Sequence, residues 1–143
     1  MADWAGIFMK IALIACSSKK SNKKEKVQDL YISPLFKLNL NYAKKLTDKI
    51  FILSAKYGLV DLEQEIEPYN LTLNNMKDEE IKKWADKVLE ILKKQTDLER
   101  DEFVFLAGEK YRKYLIPEIK NYKIPLQGLG IGKQLKFLKE NTL

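Results

Sequence analysis

Short apolar runs alternate along this chain with longer segments in which apolar residues recur every three or four positions. Residues 10–16 (Lys-Ile-Ala-Leu-Ile-Ala-Cys), 49–53 (Lys-Ile-Phe-Ile-Leu) and 103–107 (Phe-Val-Phe-Leu-Ala) are continuous enough to be strands buried on both faces. Residues 124–126 predict a short fourth strand, and Pro125 assigns it to an edge or a strand start. Between these runs the period changes to that of a helix. Ser33 followed by Pro34 predicts a helix start, with the helix running to about Leu46 and Leu35, Leu38, Tyr42 and Leu46 on its inner face. Asn75 is a candidate cap for the next helix. There Asp78, Glu79 and Glu80 in the first turn and Lys93 and Lys94 in the last complement the helix dipole, and Ile81, Trp84, Ala85, Val88, Ile91 and Leu92 form the buried stripe. Shorter helices are predicted over 109–116, ended by Pro117, and over 133–140 behind Gly128, Gly130 and Gly132.

Strands alternating with helices predict one α/β domain over residues 10–143, a three-layer α/β/α arrangement around a mostly parallel sheet, with residues 1–9 as an N-terminal extension. The three strong strands are expected to be adjacent and parallel. Residues 54–70 read as a long loop carrying Asp61, Glu63, Glu65 and Glu67, and long loops in compact domains are often functional.

Composition narrows the chemistry. Hydrophobic residues make up 45% and charged residues 32% of the 143, as in globular rather than disordered chains. The net charge of +6 is spread over both halves, a modest field that favours phosphate-bearing ligands. There is no histidine, which excludes Ser-His-Asp and Cys-His machinery and imidazole-ligated zinc. General acid–base work then falls to Asp, Glu, Lys, Tyr or Cys. The single cysteine, Cys16, excludes an internal disulfide and points to a reducing compartment. The acidic, short first nine residues do not read as a signal peptide, and nothing approaches the ~20 apolar residues of a membrane span. The expectation is a cytoplasmic protein with no membrane partner, no cofactor and no metal.

All the strong strands stop at small or polar residues, and ligands of open α/β sheets sit beyond the carboxyl ends of the strands. The first strand ends in Cys16-Ser17-Ser18-Lys19, whose hydroxyls and amine can meet a phosphate; the plainer alternative is a packed cysteine and a solvated basic loop. Tyr31 and Ser33 stand at a helix N-terminus, an anion site unless Ser33 simply caps and Tyr31 packs. The fullest constellation is Ser54-Ala55-Lys56-Tyr57-Gly58 with Glu67-Pro68-Tyr69-Asn70. Tyr57 and Tyr69 offer faces to sandwich a base, Lys56 a cation for phosphate, Asn70 an amide edge, and Asp61 or Glu67 a carboxylate. A surface loop stabilised by its tyrosines is the alternative. Gly108 and Gly130 allow close backbone approach, although Gly128-x-Gly130-x-Gly132 lacks the spacing of the dinucleotide fingerprint. Ser17, Ser33, Ser54, Tyr57, Tyr69, Gly108 and Gly130 are accordingly expected to line one pocket.

These segments carry a resemblance. Cys16-Ser17, Asp29-Leu30-Tyr31-x-Ser33-Pro34-Leu35-Phe36, Ile52-Leu53-Ser54-Ala55-Lys56-Tyr57-Gly58-Leu59-Val60, Glu67-Pro68-Tyr69-Asn70-x-Thr72-Leu73, Leu106-Ala107-Gly108-x-x-Tyr111 and Gly128-Leu129-Gly130-Ile131-Gly132-x-Gln134-Leu135 follow in this order. Together, over about residues 10–139, they resemble a widespread bacterial, archaeal and phage domain family of unknown function grouped near the peroxide-stress protein YaaA. A fainter similarity is to the amidotransfer domain of archaeosine synthase, whose Cys-Ser-x-x-Lys-Pro-Tyr-x-x-Ser-x-x-His signature Cys16-Ser17 and the later Tyr31-x-Ser33 resemble in part. Here an insertion splits the two halves and the histidine is missing. What the resemblance implies is a uracil-DNA-glycosylase-like fold and a nucleobase, nucleotide or nucleic acid as partner.

The expected function is therefore an enzyme acting on a nucleobase, nucleotide or nucleic acid at the N-glycosidic bond, with Asp61, Glu67 and Tyr69 as its catalytic groups. The alternative is a non-catalytic nucleotide or nucleic-acid binding module in a stress or phage-related role. A pure protein-interaction domain is the third class, and it would leave the strand-end polar residues unconverged.

Overall fold

The computed structural model describes residues 8–142, so most of the expected N-terminal extension, residues 1–7, lies outside the described residues. Its centre is a five-stranded sheet in the order β4-β3-β1-β6-β7, where β1 is Lys10–Ala15, β3 Lys49–Ser54, β4 Gly58–Asp61, β6 Glu102–Leu106 and β7 Asn121–Lys123. β1 pairs parallel with both β3 (Leu13 opposite Phe51) and β6 (Leu13 opposite Phe105), as the three apolar runs predict. β6 and β7 are also parallel, and β4 alone runs antiparallel, against β3. A separate antiparallel pair joins β2 (Glu25–Lys26) to β5 (Glu65–Ile66).

Side chains alternate across a strand, so each central strand feeds two cores. Leu13, Phe51, Leu53, Phe103 and Phe105 face α3 (Asp78–Gln95), which answers with Ile81, Trp84, Ala85, Val88 and Leu92. Ala12, Ile14, Ile52, Val104 and Leu106 face the opposite layer, built from α1 (Val27–Leu30), α2 (Pro34–Leu46) and α5 (Ile131–Glu140). The molecule is thus a single α/β domain with helices on both faces of a mostly parallel sheet.

Several expectations change. Residues 54–70 are not one loop: the chain turns at Gly58, whose φ of +76° suits a residue without Cβ, and returns as β4 before adding β5. The fourth parallel strand lies at 121–123, and Pro125 falls in the turn after it. Ser33 caps α2 as expected, its Oγ accepting from Phe36 N at 3.2 Å. The buried stripe of α2, however, is Phe36, Asn39, Leu40, Tyr42 and Ala43, while Leu46 is exposed. Asn75 belongs to a 3-10 turn (Leu73–Asn75), and α3 starts behind Lys77, where Glu80 accepts from the Lys77 N–H at 3.2 Å. The 109–116 helix shortens to α4 (Glu109–Arg112) followed by a 3-10 turn at Ile116–Glu118. Among the described residues no helix is long and apolar enough to cross a membrane.

Candidate functional site

The connection leaving β1 crosses to α2 on one face and on to β3, on one side of β1. The connection leaving β6 enters α4, whose Tyr111 packs in the other core, and goes on to β7 on the opposite side. The two connections diverge, and between the carboxyl ends of β1 and β6 they leave the crevice that such a topological switch point opens. A cavity of about 590 Å3 occupies this place, a size typical of small-ligand sites. Cys16 and Ser17 line it from the end of β1, Ala107 and Gly108 from the end of β6, Ser33, Phe36 and Asn39 from α2, Glu109 to Arg112 from α4, and Gly128, Leu129 and Gln134 from the approach to α5 and its first turns.

The polar groups on this wall are held in place. Arg112 donates from Nη1 to the Ala107 carbonyl at 2.7 Å, which anchors its guanidinium at the end of β6 and leaves its remaining donors for other acceptors. Gln134 Nε2 donates to the Leu129 carbonyl at 2.8 Å and ties the glycine-rich turn to α5. Tyr111 Oη receives the Leu73 N–H at 3.3 Å and lies 3.4 Å from both Cys16 Sγ and Thr72 Oγ1. Burial, chiefly, pushes the Tyr111 phenol up to about 12, so it carries its proton at neutral pH. With the backbone N–H occupying its oxygen, that proton is free for Cys16 or Thr72. Lys110 and Arg112 oppose one carboxylate on the wall, Glu109, and the balance there is positive. Asn39 is an exception to this order: it is buried, yet its Oδ1 has no hydrogen-bond partner.

Beside the cavity, over the end of β3, lies a second polar cluster that is closed on itself. Ser54, fully buried, bonds Tyr69 Oη at 2.8 Å and accepts from Tyr57 N at 3.0 Å; its carbonyl accepts from Trp84 Nε1 at 2.8 Å. Tyr69 Oη also meets Tyr31 Oη at 2.5 Å. Burial raises both phenols well above the ordinary tyrosine range, so both remain protonated. Lys20 covers the cluster, its Nζ 4.3 Å from the Tyr69 ring centre, and partial burial lowers its affinity for a proton.

Seven residues were expected to meet in one pocket. Ser17, Ser33 and Gly108 line the cavity, as does Cys16. Ser54, Tyr57 and Tyr69 belong instead to the neighbouring cluster, and Gly130, just beyond the cavity-lining Leu129, begins α5 as its N-cap. Tyr31 is fully buried in that same cluster. Tyr57 and Tyr69 do not form a slot for a base, because their rings pack edge to face with centroids 5.6 Å apart. Asp61 stands opposite Phe51 in the β3–β4 pairing and forms an ion pair with Lys49 at 3.4 Å. The antiparallel return of β4 has carried it towards the amino end of β3, outside the lining of the cavity, a reversal invisible while 54–70 read as a loop. Glu67 and Asn70 are exposed, as is Lys56, whose Nζ lies 5.3 Å from the Tyr57 ring centre. Lys19 is exposed, its N–H donating to Ser17 Oγ at 3.2 Å.

Sequence reasoning missed Asn39 and Arg112 because it searched the loops that leave the strands, and it carried Tyr111 and Gln134 only as positions of the family motifs, with no role in the site. One signal was available: Asn39 follows Phe36 by three residues and precedes Ala43 by four, a polar residue inside a buried stripe.

The chain belongs to a family of unknown function, DUF6884, whose sequence profile matches residues 11–140. No curated protein and no solved structure matches it.

Proposed function

We propose that this member of the family binds a nucleobase or nucleotide, free or displayed on a nucleic acid, in the cavity between the ends of β1 and β6. The observation that carries this reading is the coincidence of the cavity with the topological switch point of the sheet. The wall supports the ligand class. Arg112 and Lys110 suit a phosphate, the capped start of α2 adds the positive end of a helix dipole, and Asn39 and Gln134 offer amide groups for a base. The sequence resemblance to the family grouped near YaaA and to the archaeosine synthase amidotransfer domain points to the same class of ligand.

Calorimetric titration with the four ribonucleoside 5′-monophosphates and a short single-stranded oligonucleotide tests the proposal. Saturable binding is expected for at least one of them. Gly108→Leu should weaken it about tenfold or more with the fold intact, since a Cβ at Gly108 meets nothing within 4 Å. Absence of binding by all five overturns the reading. Salt separates the ligand forms, because a nucleic-acid groove loses affinity steeply as salt rises.

A catalytic reading at the N-glycosidic bond rests on Glu109, the one carboxylate lining the cavity among the described residues. A carboxylate there would stabilise the positive charge that develops on the sugar and activate a water molecule. It takes the place that Asp61 and Glu67 held on sequence grounds. Release of free base from nucleosides or DNA, abolished by Glu109→Gln while binding persists, is the expected signature. Binding without release assigns the domain to the non-catalytic alternative.

A further inference from the structure

Asn39 is 5% exposed and belongs to the buried face of α2 with Phe36, Leu40 and Ala43, where an apolar residue would pack. Its Oδ1 is the one sequestered side-chain nitrogen or oxygen without a partner among the described residues. Buried amides in folded chains are almost always satisfied, and replacing an unsatisfied one by an apolar group of similar shape costs little or is favourable. The packing of α2 therefore gives no reason for an amide at this position. The cavity does, because Asn39 lines it. Rotation about χ2, a soft torsion, exchanges the two ends of the amide and turns the carbonyl towards a ligand.

We infer that Asn39 reads the edge of a nucleobase, and that the cavity selects ligands whose base presents a hydrogen-bond donor and acceptor side by side. This deepens the binding reading above and rests on it. An amide offers a carbonyl acceptor next to an N–H donor, and the Watson–Crick edges of purines and pyrimidines offer the complementary pair. A methyl group on the edge nitrogen removes the donor and places bulk against the amide, whereas a methyl elsewhere on the ring leaves the pair intact. A site built to hydrogen-bond a group rejects the analogue lacking it strongly, because its own polar group is then buried unpaired.

The test compares uridine, 3-methyluridine and 5-methyluridine 5′-monophosphates, and guanosine with 1-methylguanosine 5′-monophosphate, on the full chain by calorimetry. The expected result is binding of at least one parent, at least tenfold weaker binding of its edge-blocked form, and no comparable loss for the 5-methyl control. In Asn39→Leu the parent should weaken to the level of the blocked form, so that the difference disappears. The thermal midpoint of that variant without ligand should be unchanged or higher. Binding of parent and blocked forms with equal affinity overturns the inference and leaves the cavity reading standing. Failure of every compound to bind overturns the inference, and overturns the cavity reading as well only where the adenosine and cytidine monophosphates and the oligonucleotide also fail. A midpoint lowered by about 5 °C or more in both Asn39→Leu and Asn39→Ala also overturns it, since the amide would then be serving the fold.

Discussion

Over the end of β3, Ser54 is fully buried, and its hydroxyl and carbonyl both have partners: Tyr69, the Tyr57 amide and the Trp84 indole. Over the ends of β1 and β6, Asn39 is almost as deeply buried and its carbonyl has none. The two regions share one end of one sheet and resemble each other in sequence, each joining small residues at a strand end to polar and aromatic ones. They differ in where the hydrogen bonds go. The tyrosine cluster spends its polar groups on itself, and its rings fill the space between them. The cavity keeps an open volume, a net positive wall and an unsatisfied amide. Polarity at a strand end is therefore a poor guide to a binding site until the partners of each polar atom are known.

Substitutions in the two regions should separate stability from binding. The largest effect is expected from Tyr31→Ala in the closed cluster, where loss of a fully buried ring should cost about 3–5 kcal/mol in a denaturant titration. Ser54→Ala should cost about 1–3 kcal/mol, because it strands the Tyr57 amide and one bond of Tyr69 in the interior. The same variant should leave nucleotide affinity within about twofold at temperatures where it is folded. A Ser54→Ala protein of unchanged stability and abolished binding would join the two regions into one site.

Alkali gives a second separation. Tyr31, Tyr69 and Tyr111 hold their protons above the ordinary tyrosine range in the folded state, with Tyr111 at about 12. Above about pH 10 the unfolded chain loses phenolic protons that the folded chain keeps, so the unfolded state binds fewer protons and stability falls as pH rises. Their contribution is fully present below about pH 10 and is lost towards and beyond pH 12. Tyrosinate absorbance should therefore rise in two steps, the later one coincident with unfolding. Full ionisation of all seven tyrosines in one step near pH 10, with the fold retained, would contradict the burial of this cluster. The smallest effect belongs to Asp61→Asn, which removes an exposed ion pair with Lys49 and should change stability by no more than about 0.5 kcal/mol, with neither binding nor turnover affected.

Much of the fold was legible. The runs at β1, β3 and β6 are apolar without interruption, and only burial on both faces of a parallel sheet accounts for that. The start of α2 was legible because Ser33-Pro34 has a local mechanism. Its inner face was legible only at Tyr42, since Leu35, Leu38 and Leu46 extend it into as good a stripe as Phe36, Leu40 and Ala43 do, and only the neighbouring sheet chooses between them. β4 was hidden because four residues that begin with a glycine look the same in a loop as in an edge strand. Of the site, Cys16, Ser17, Ser33 and Gly108 were legible because they follow from strand order and one cap. The division between cluster and cavity was not, because it depends on which hydroxyls find each other across the fold: Tyr69 meets Ser54 and Tyr31 through contacts spanning 15 and 38 residues.

The central claim is that the ligand enters the cavity and leaves the tyrosine cluster undisturbed. Amide resonances of the isotopically labelled chain, followed during titration with the four ribonucleoside 5′-monophosphates, test it most directly. The account predicts saturable shifts at Ser17, Ser33, Asn39, Gly108 and Arg112, with Ser54, Tyr57 and Tyr69 almost unmoved. Shifts concentrated at Lys20, Ser54, Tyr57 and Tyr69, with the cavity residues silent, would contradict it.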